Sequence, residues 1–331
     1  MKMKAIITGA AGLLVLTTIA MAQPSLVSRY EFKKLEYPGS IYSYPLGVND
    51  KREVAGVYAD MQGAFHGYLW RGGAFTKIEF PGALQALNAG TYPGGINNRG
   101  DIVGTYTDAQ GFQHGFLRAR PAWCEDDEEE RCAPVYTTID NPAAVQKRIP
   151  FELGPGLGTA TIGINNHGVI TGMYATAGLF SDGFLLSRGV FTPVDHPMAS
   201  HLSGLGSKCF SISDNGVAAC DYATDDHITH GFLLKNGKFE AVDVPGSALG
   251  GFGTQINGVN ASGMAVGLFS SATGVPHTLV WVSGKVFTLD FPGEPFSELH
   301  SINNRGDITG AYVFDPATFF LHGFLAFRKD E

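Results

Sequence analysis

The chain has 331 residues, with 23 Lys and Arg against 31 Asp and Glu, a formal net charge of −8 and 44 glycines. An acidic surface repels phosphate backbones, which argues against nucleic acid as a partner. No stretch carries a sustained 3.6-residue apolar period, and short alternating runs punctuated by Gly, Asn-Asn and Pro-Gly predict an all-β fold.

In chain order, the first element is a targeting segment. Lys2 and Lys4 form a basic start, an apolar run extends to Met21, and Ala20-Met21-Ala22 makes a small-x-small site before Gln23. This pattern predicts a cleaved signal peptide over residues 1–22, and hence an exported protein, periplasmic or extracellular. A membrane anchor is the alternative. Against it, the run falls short of the roughly 20 apolar residues a span needs, and it contains Gly9, Gly12, Thr17 and Thr18. No later stretch is apolar enough to cross a bilayer, so no integral membrane segment is expected after cleavage. Residues 23–331 read as one domain with a surface insertion at 118–135, and a monomer is expected.

The rest of the chain repeats one motif six times. Copies begin at Gly47, Gly95, Gly163, Ser211, Gly258 and Ser301, and the clearest runs GINNRGDIVGTYTDAQGFQHGFL from Gly95 to Leu117. Repetition at this period marks a solenoid, propeller or array. Each copy divides into four strand-like runs. The first ends in a pair such as Ile96-Asn97 or Ile302-Asn303, and a turn such as Asn98-Arg99-Gly100 follows. Asn bonds its own backbone there and Gly supplies positive φ, so a hairpin is expected. The second run alternates through Ile102, Gly104 and Tyr106. The third is His-Gly-Phe-Leu or a relative, and the fourth is aromatic-led and closes on Pro-Gly or Pro-Ala.

The sixth copy stops at Glu331 without its fourth run, which stands at the other end of the mature chain as Phe32 to Gly39. An open array gives this displaced strand no role, whereas in a ring it ties the circle shut and leaves only short, protected edges. The expected fold is a six-bladed β-propeller of four-stranded blades, the last completed by the N-terminal strand 30–40.

The elements IN-x-x-G-x-I-x-G-x-Y and H-G-F-L, behind a signal peptide, resemble the HAF family of extracellular repeat proteins, named for a His-Ala-Phe tripeptide. Here Gly replaces that Ala after His66, His114, His230 and His322. The resemblance implies an exported, propeller-like protein and supplies no catalytic residue.

Histidine recurs on the third strand as His66, His114, His230, His277 and His322, with Asp182 in the third copy. A carboxylate recurs in the fourth strand as Glu36, Glu79, Asp140, Asp195, Asp243 and Asp290. Equivalent positions in a ring of blades cannot converge on one ion, so the expectation is a structural His–carboxylate bond within each blade and no metal site or cofactor. His322 would then pair with Glu36 and link the chain ends. The repeated strand glycines, Gly56, Gly104, Gly172, Gly267 and Gly310, read as room for an aromatic such as Phe116 or Phe324.

Four cysteines suit an oxidising compartment. Cys209 and Cys220 flank one hairpin turn symmetrically and are expected to form a disulfide; Cys124 and Cys132, bracketing the acidic run Glu125 to Glu130, would close a small loop.

One face of the disc should collect the long connections, which carry Tyr42, Tyr44, Tyr92, Arg148, Phe151, His201, Phe252 and His300. Aromatics with a few polar groups suit recognition of a glycan, a peptide or a cell-surface protein. Two alternatives stand beside a secreted binding module. One is a hydrolase or lyase at the channel mouth, with His201 or His300 as base and Glu298 or Glu152 as acid. The other is a purely structural envelope protein. No Gly-x-Ser-x-Gly elbow, sialidase-type Asp box or His-Glu-x-x-His zinc motif occurs.

Overall fold

The computed structural model describes residues 23–121, 133–147, 157–249, 251–294, 296–313 and 321–329. The expected signal segment 1–22, and Cys124, Cys132, Arg148, Phe151 and Glu152, lie outside these residues. Among the described residues no helix is long and apolar enough to cross a membrane.

The first repeat supplies β2 (Tyr42–Val48), β3 (Val54–Ala59), β4 (Phe65–Arg71) and β5 (Ala74–Ile78). The second supplies β6 (Thr91–Ile96), β7 (Ile102–Thr107), β8 (Gln113–Ala119) and β9 (Val135–Ile139). Next come β10 (Thr159–Ile164), β11 (Ile170–Ala175), β12 (Ser181–Ser187) and β13 (Val190–Val194), then β14 (Gly206–Ile212), β15 (Ala218–Ala223), β16 (Thr229–Lys235) and β17 (Lys238–Ala241). The fifth repeat gives β18 (Thr254–Val259), β19 (Ala265–Ser270), β20 (Pro276–Val282) and β21 (Lys285–Phe287). The last gives β22 (Ser297–Ile302), β23 (Ile308–Val313) and β24 (Leu321–Arg328), and β1 (Tyr30–Leu35) pairs antiparallel with β24, Tyr30 opposite Arg328 and Leu35 opposite Gly323.

This is an all-β propeller. The hydrogen bonding departs from the expected six separate sheets: four sheets have four strands each, and β10 to β17 form one eight-stranded sheet. A single parallel bridge, Ser181 to Gly206, joins β12 to β14 and causes the merger. The first strands of the repeats touch in a closed circle, β2, β6, β10, β14, β18, β22 and back to β2.

The residue that opens each repeat motif explains that circle. A Cβ on Gly95 would stand 2.9 Å from the Cα of Gly163, and one on Gly163 would stand 2.8 Å from the Cα of Ser211. At these glycines the neighbouring inner strands pass too closely for a Cβ. The next residue is apolar, and the one after is Asn in every repeat but the fourth, where it is Ser213; the Asn side chain reaches across to the neighbouring repeat. Asn49 donates to Asn97 O (3.0 Å), Asn165 to Ser213 O (3.0 Å), Asn260 to Asn303 O (3.1 Å), and Asn303 back to Asn49 O (2.9 Å).

The cores lie between sheets. Phe116, Phe184 and Phe324 on the third strands are fully buried, and their rings cover the strand glycines. A Cβ on Gly172 would meet Phe184 Cζ at 2.7 Å, and one on Gly310 would meet Phe324 Cζ at 2.5 Å. In the fourth repeat Cys220 replaces that glycine, faces Cys209 across β14 and β15, and forms the expected disulfide with it.

Candidate functional site

Each inner strand carries a bulge near its middle. The register shifts between Pro45 and Gly47, Thr161 and Gly163, Cys209 and Ser211, Ile256 and Gly258, and Leu299 and Ser301. The unpaired residue at each is Leu46, Ile162, Phe210, Asn257 or His300, and all five line an axial cavity of about 460 Å³. Bulges re-aim side chains in this way at the rims of closed sheets. Two residues before four of these, Tyr44, Ala160, Gln255 and Glu298, together with Tyr92 on β6, form a second level, and Phe65, Asn88 and Gln113 stand at the wall beyond it; Lys208, two residues before Phe210, is not in the lining.

One end of the cavity is closed by the second residue of the Asn turns. Asn98 donates to Asp50 (2.7 Å), Asn166 to Asp214 (2.8 Å), and Asn304 to both Asp50 and Asp214 (3.0 Å each). One amide thus bridges two carboxylates across the axis. Asn88 and Gly90 come from the segment between β5 and β6, so the mouth lies on the long-loop face.

The most concentrated chemistry sits where β22 meets β2, the junction of the last and first sheets. The Tyr44 hydroxyl donates to Glu298 Oε1, and the Tyr44 ring lies 4.2 Å from the His300 ring. His300 Nδ1 lies 2.7 Å from Pro45 O. A carbonyl only accepts, so Nδ1 carries the proton. His300 Nε2 stands 3.3 Å from Glu298 Oε1. Burial pushes the Glu298 carboxyl up, but the His300 and Tyr44 contacts outweigh it and hold the group below its usual range. Burial, reinforced by the Glu298 charge, pushes the Tyr44 hydroxyl well above its ordinary pKa. Burial also raises Tyr92.

Of the ligand-binding residues expected from sequence, Tyr44, Tyr92 and His300 come together in this cavity. Tyr42 stands beside it, its ring 6.1 Å from Phe65, which packs edge-on against Tyr92 at 5.7 Å. His201 lies elsewhere, 3.1 Å from Asp195 and stacked on Phe180 at 4.6 Å. Phe252 does not line the cavity; its carbonyl accepts from the Thr229 amide. Sequence reasoning missed Phe65, Phe210, Asn257 and Gln255. Only their fixed offset from the turn Asn marks three of them.

The histidines of the third strands stand outside the cavity. His66 Nδ1 lies 2.6 Å from Glu79 and its Nε2 2.9 Å from Asp60; His114 lies 2.9 Å from Asp140 and 3.2 Å from Asp108. His230 lies 2.9 Å from Asp243 and His322 3.2 Å from Glu36. The pairing fails in two repeats. His277 packs against Phe269 while Asp290 accepts from the Thr278 hydroxyl at 2.9 Å. In the third repeat Asp182 accepts from Tyr174 at 3.1 Å, leaving Asp195 to His201. Thr278 follows His277 where other repeats have Gly, and its hydroxyl takes the carboxylate. Among the described residues no cluster of three or more His, Cys, Asp or Glu is placed to hold a metal ion.

No family model and no curated protein matches the chain. Solved structures match its fold. AofleA from Arthrobotrys oligospora aligns at 11% identity over 86% of this chain and 83% of that one, with a TM-score of 0.51. TolB from Acinetobacter baumannii aligns at 9% identity over 84% of this chain and 64% of that one, also at 0.51. A six-bladed fungal lectin from Aleuria aurantia aligns at 11% identity over 85% and 90%, at 0.46. At these identities the likeness is one of fold.

Proposed function

We propose that this is an exported, non-catalytic binding propeller of the HAF-type repeat class, with six four-stranded blades, the eight-stranded sheet counting as two. Its axial cavity takes the end group of a glycan or peptide from the long-loop face. The observation that carries this reading is the cavity itself. At about 460 Å³ it lies within the roughly 300–1,000 Å³ of small-molecule sites. Its wall pairs apolar surface from Leu46, Ile162, Phe210 and Phe65 with a few convergent polar groups, Gln255, Asn257, Glu298 and His300. Apolar wall supplies affinity, and the polar groups fix orientation.

Thermal melting of the protein without residues 1–22, against soluble glycans and cell-wall fragments, tests the reading. A ligand at 100 times its Kd stabilises the native state by about 2.7 kcal/mol, several degrees in a domain of this size. Tyr92→Ala should abolish the shift. A panel that moves the melting point nowhere would sink the proposal.

A second reading, a hydrolase or lyase, is favoured by the buried Tyr44–Glu298–His300 contact, which places a carboxylate, an imidazole and a phenol on one wall. Product formation from a glycan that binds, lost in Glu298→Gln, would establish it; prolonged incubation without product would exclude it for that glycan.

A further inference from the structure

We propose that the axial cavity selects ligands bearing a primary ammonium group. This rests on the reading of the cavity as the binding site and names the class of ligand it takes.

The first observation is charge. Asp50, Asp214 and Glu298 line the cavity, and among the described residues no Lys or Arg does. Lys208, a cation on an inner strand, stands opposite Asp221 in the β14–β15 register and outside the lining. With His300 in either protonation state the lining stays net negative, and a cleft of one sign concentrates ligands of the other.

The second observation is that the donors nearest the Glu298 carboxylate are already engaged within the protein. The Tyr44 hydroxyl proton goes to Glu298 Oε1, the His300 Nδ1 proton to Pro45 O, and the Asn257 amide to Leu299 O at 2.8 Å. The carboxylate itself keeps an acceptor open. Both contacts to Glu298 fall on Oε1, and Oε2 has no hydrogen-bond partner among the described residues. A carboxylate oxygen left open on a cavity wall is satisfied by a donor, and an ammonium group brings three with the matching charge.

The third observation is the aromatic surround. Tyr44 and Tyr92 line the same level as Glu298, with Phe65 packed on Tyr92. Ring faces attract a desolvated cation where an uncharged amide gains little.

Matched amine and amide probes separate this from general binding. The same protein is titrated calorimetrically at pH 6 with a glucosamine tetramer, its fully N-acetylated counterpart, spermidine, and N-acetylated spermidine. The amine form is expected to bind at least tenfold more tightly than its acetylated partner, with affinity falling as salt rises. The tighter of the two amines then tells whether an amino sugar or a polyamine is the better fit. Glu298→Gln should cut amine affinity at least tenfold. Gln255→Lys places a cation at the same level without touching the Tyr44–Glu298–His300 contact, and should do the same in a protein that still folds. Acetylated forms binding as well as the amines would overturn the selectivity while the cavity remains a binding site. Binding by none of the four also overturns it, and leaves the broader reading to the glycan panel.

Discussion

Asp221 and Glu298 are both carboxylates of the inner strands and their immediate partners, and their surroundings push them in opposite directions. Burial raises Asp221 from 3.8 to about 7, with the Lys208 charge only partly offsetting it. A carboxyl whose folded pKa exceeds its unfolded one binds a proton that the unfolded chain has already released. Its stabilising effect is therefore complete below about pH 4 and is lost as pH rises through 7. Glu298 behaves in the reverse sense: its lowered pKa contributes stability above the ordinary carboxylate range, which fades as pH falls. Between pH 5 and 8 the Asp221 effect governs. The melting temperature should fall by several degrees across that window, and Asp221→Asn should flatten the profile and raise the melting point at pH 8. Parallel profiles for the two proteins would show that Asp221 is not the group responsible.

At the scale of elements, the same stack ties successive sheets together. In four of the six repeats the residue after the carboxylate lies on a second-strand Tyr of the next repeat, and that Tyr lies beside the third-strand His. Phe80 stacks on Tyr106 at 3.7 Å and Tyr106 on His114 at 5.2 Å; His196, Tyr222 and His230 repeat this at 3.9 and 5.1 Å. Phe291, Tyr312 and His322 do so at 4.1 and 5.5 Å. The imidazole is thus held by a ring on its face and a carboxylate on its edge. Phe80→Ala removes the bridging ring between two sheets and should lower stability by about 2 kcal/mol, below the range for a fully buried Phe because Phe80 is half-buried. Chemical denaturation measures this, and a change under about 0.5 kcal/mol would show that the stack is incidental. These contacts were partly legible in the sequence. The His and carboxylate columns, the displaced strand and the Cys209–Cys220 hairpin follow from repeat alignment alone. Alignment failed where a local substitution re-routed the hydrogen bonds, as Thr278 does beside His277. The cavity was harder to read. Its lining residues are bulge positions, and a bulge follows from crowding of neighbouring inner strands about the axis, which no periodicity along one strand records.

For the whole molecule, everything that closes the ring meets at one junction. β1 from the N-terminal end completes the sheet of β22, β23 and β24. Tyr37, just beyond it, stacks on Tyr58 of the first sheet at 3.7 Å. Arg52 reaches Asp307 at 2.9 Å, and Ser25 pairs with Thr288 of the preceding sheet. The Tyr44–Glu298–His300 wall spans the same seam, so the cavity is complete only when the seam is shut. The Lys329 amide donates to Arg29 O at 3.0 Å, so the two chain ends already lie side by side. A permutant joining Lys329 to Gln23 by a short Gly-Ser linker, with new termini opened between Gly39 and Ser40, keeps every strand but makes each sheet local in sequence. The first and last sheets are then held by packing alone, without the covalent strap, and opening the seam no longer requires stripping β1 from β24. The strap's contribution is a loop-closure term on the order of a few kcal/mol, so the permutant should melt several degrees lower. It should also bind cavity ligands more weakly than the native chain, because Tyr44 and Glu298 belong to opposite sides of the seam. A permutant that melts lower yet binds unchanged would separate closure from the site. One that matches the native chain in both would show that side-chain packing across the seam is sufficient and that the displaced strand contributes nothing to it.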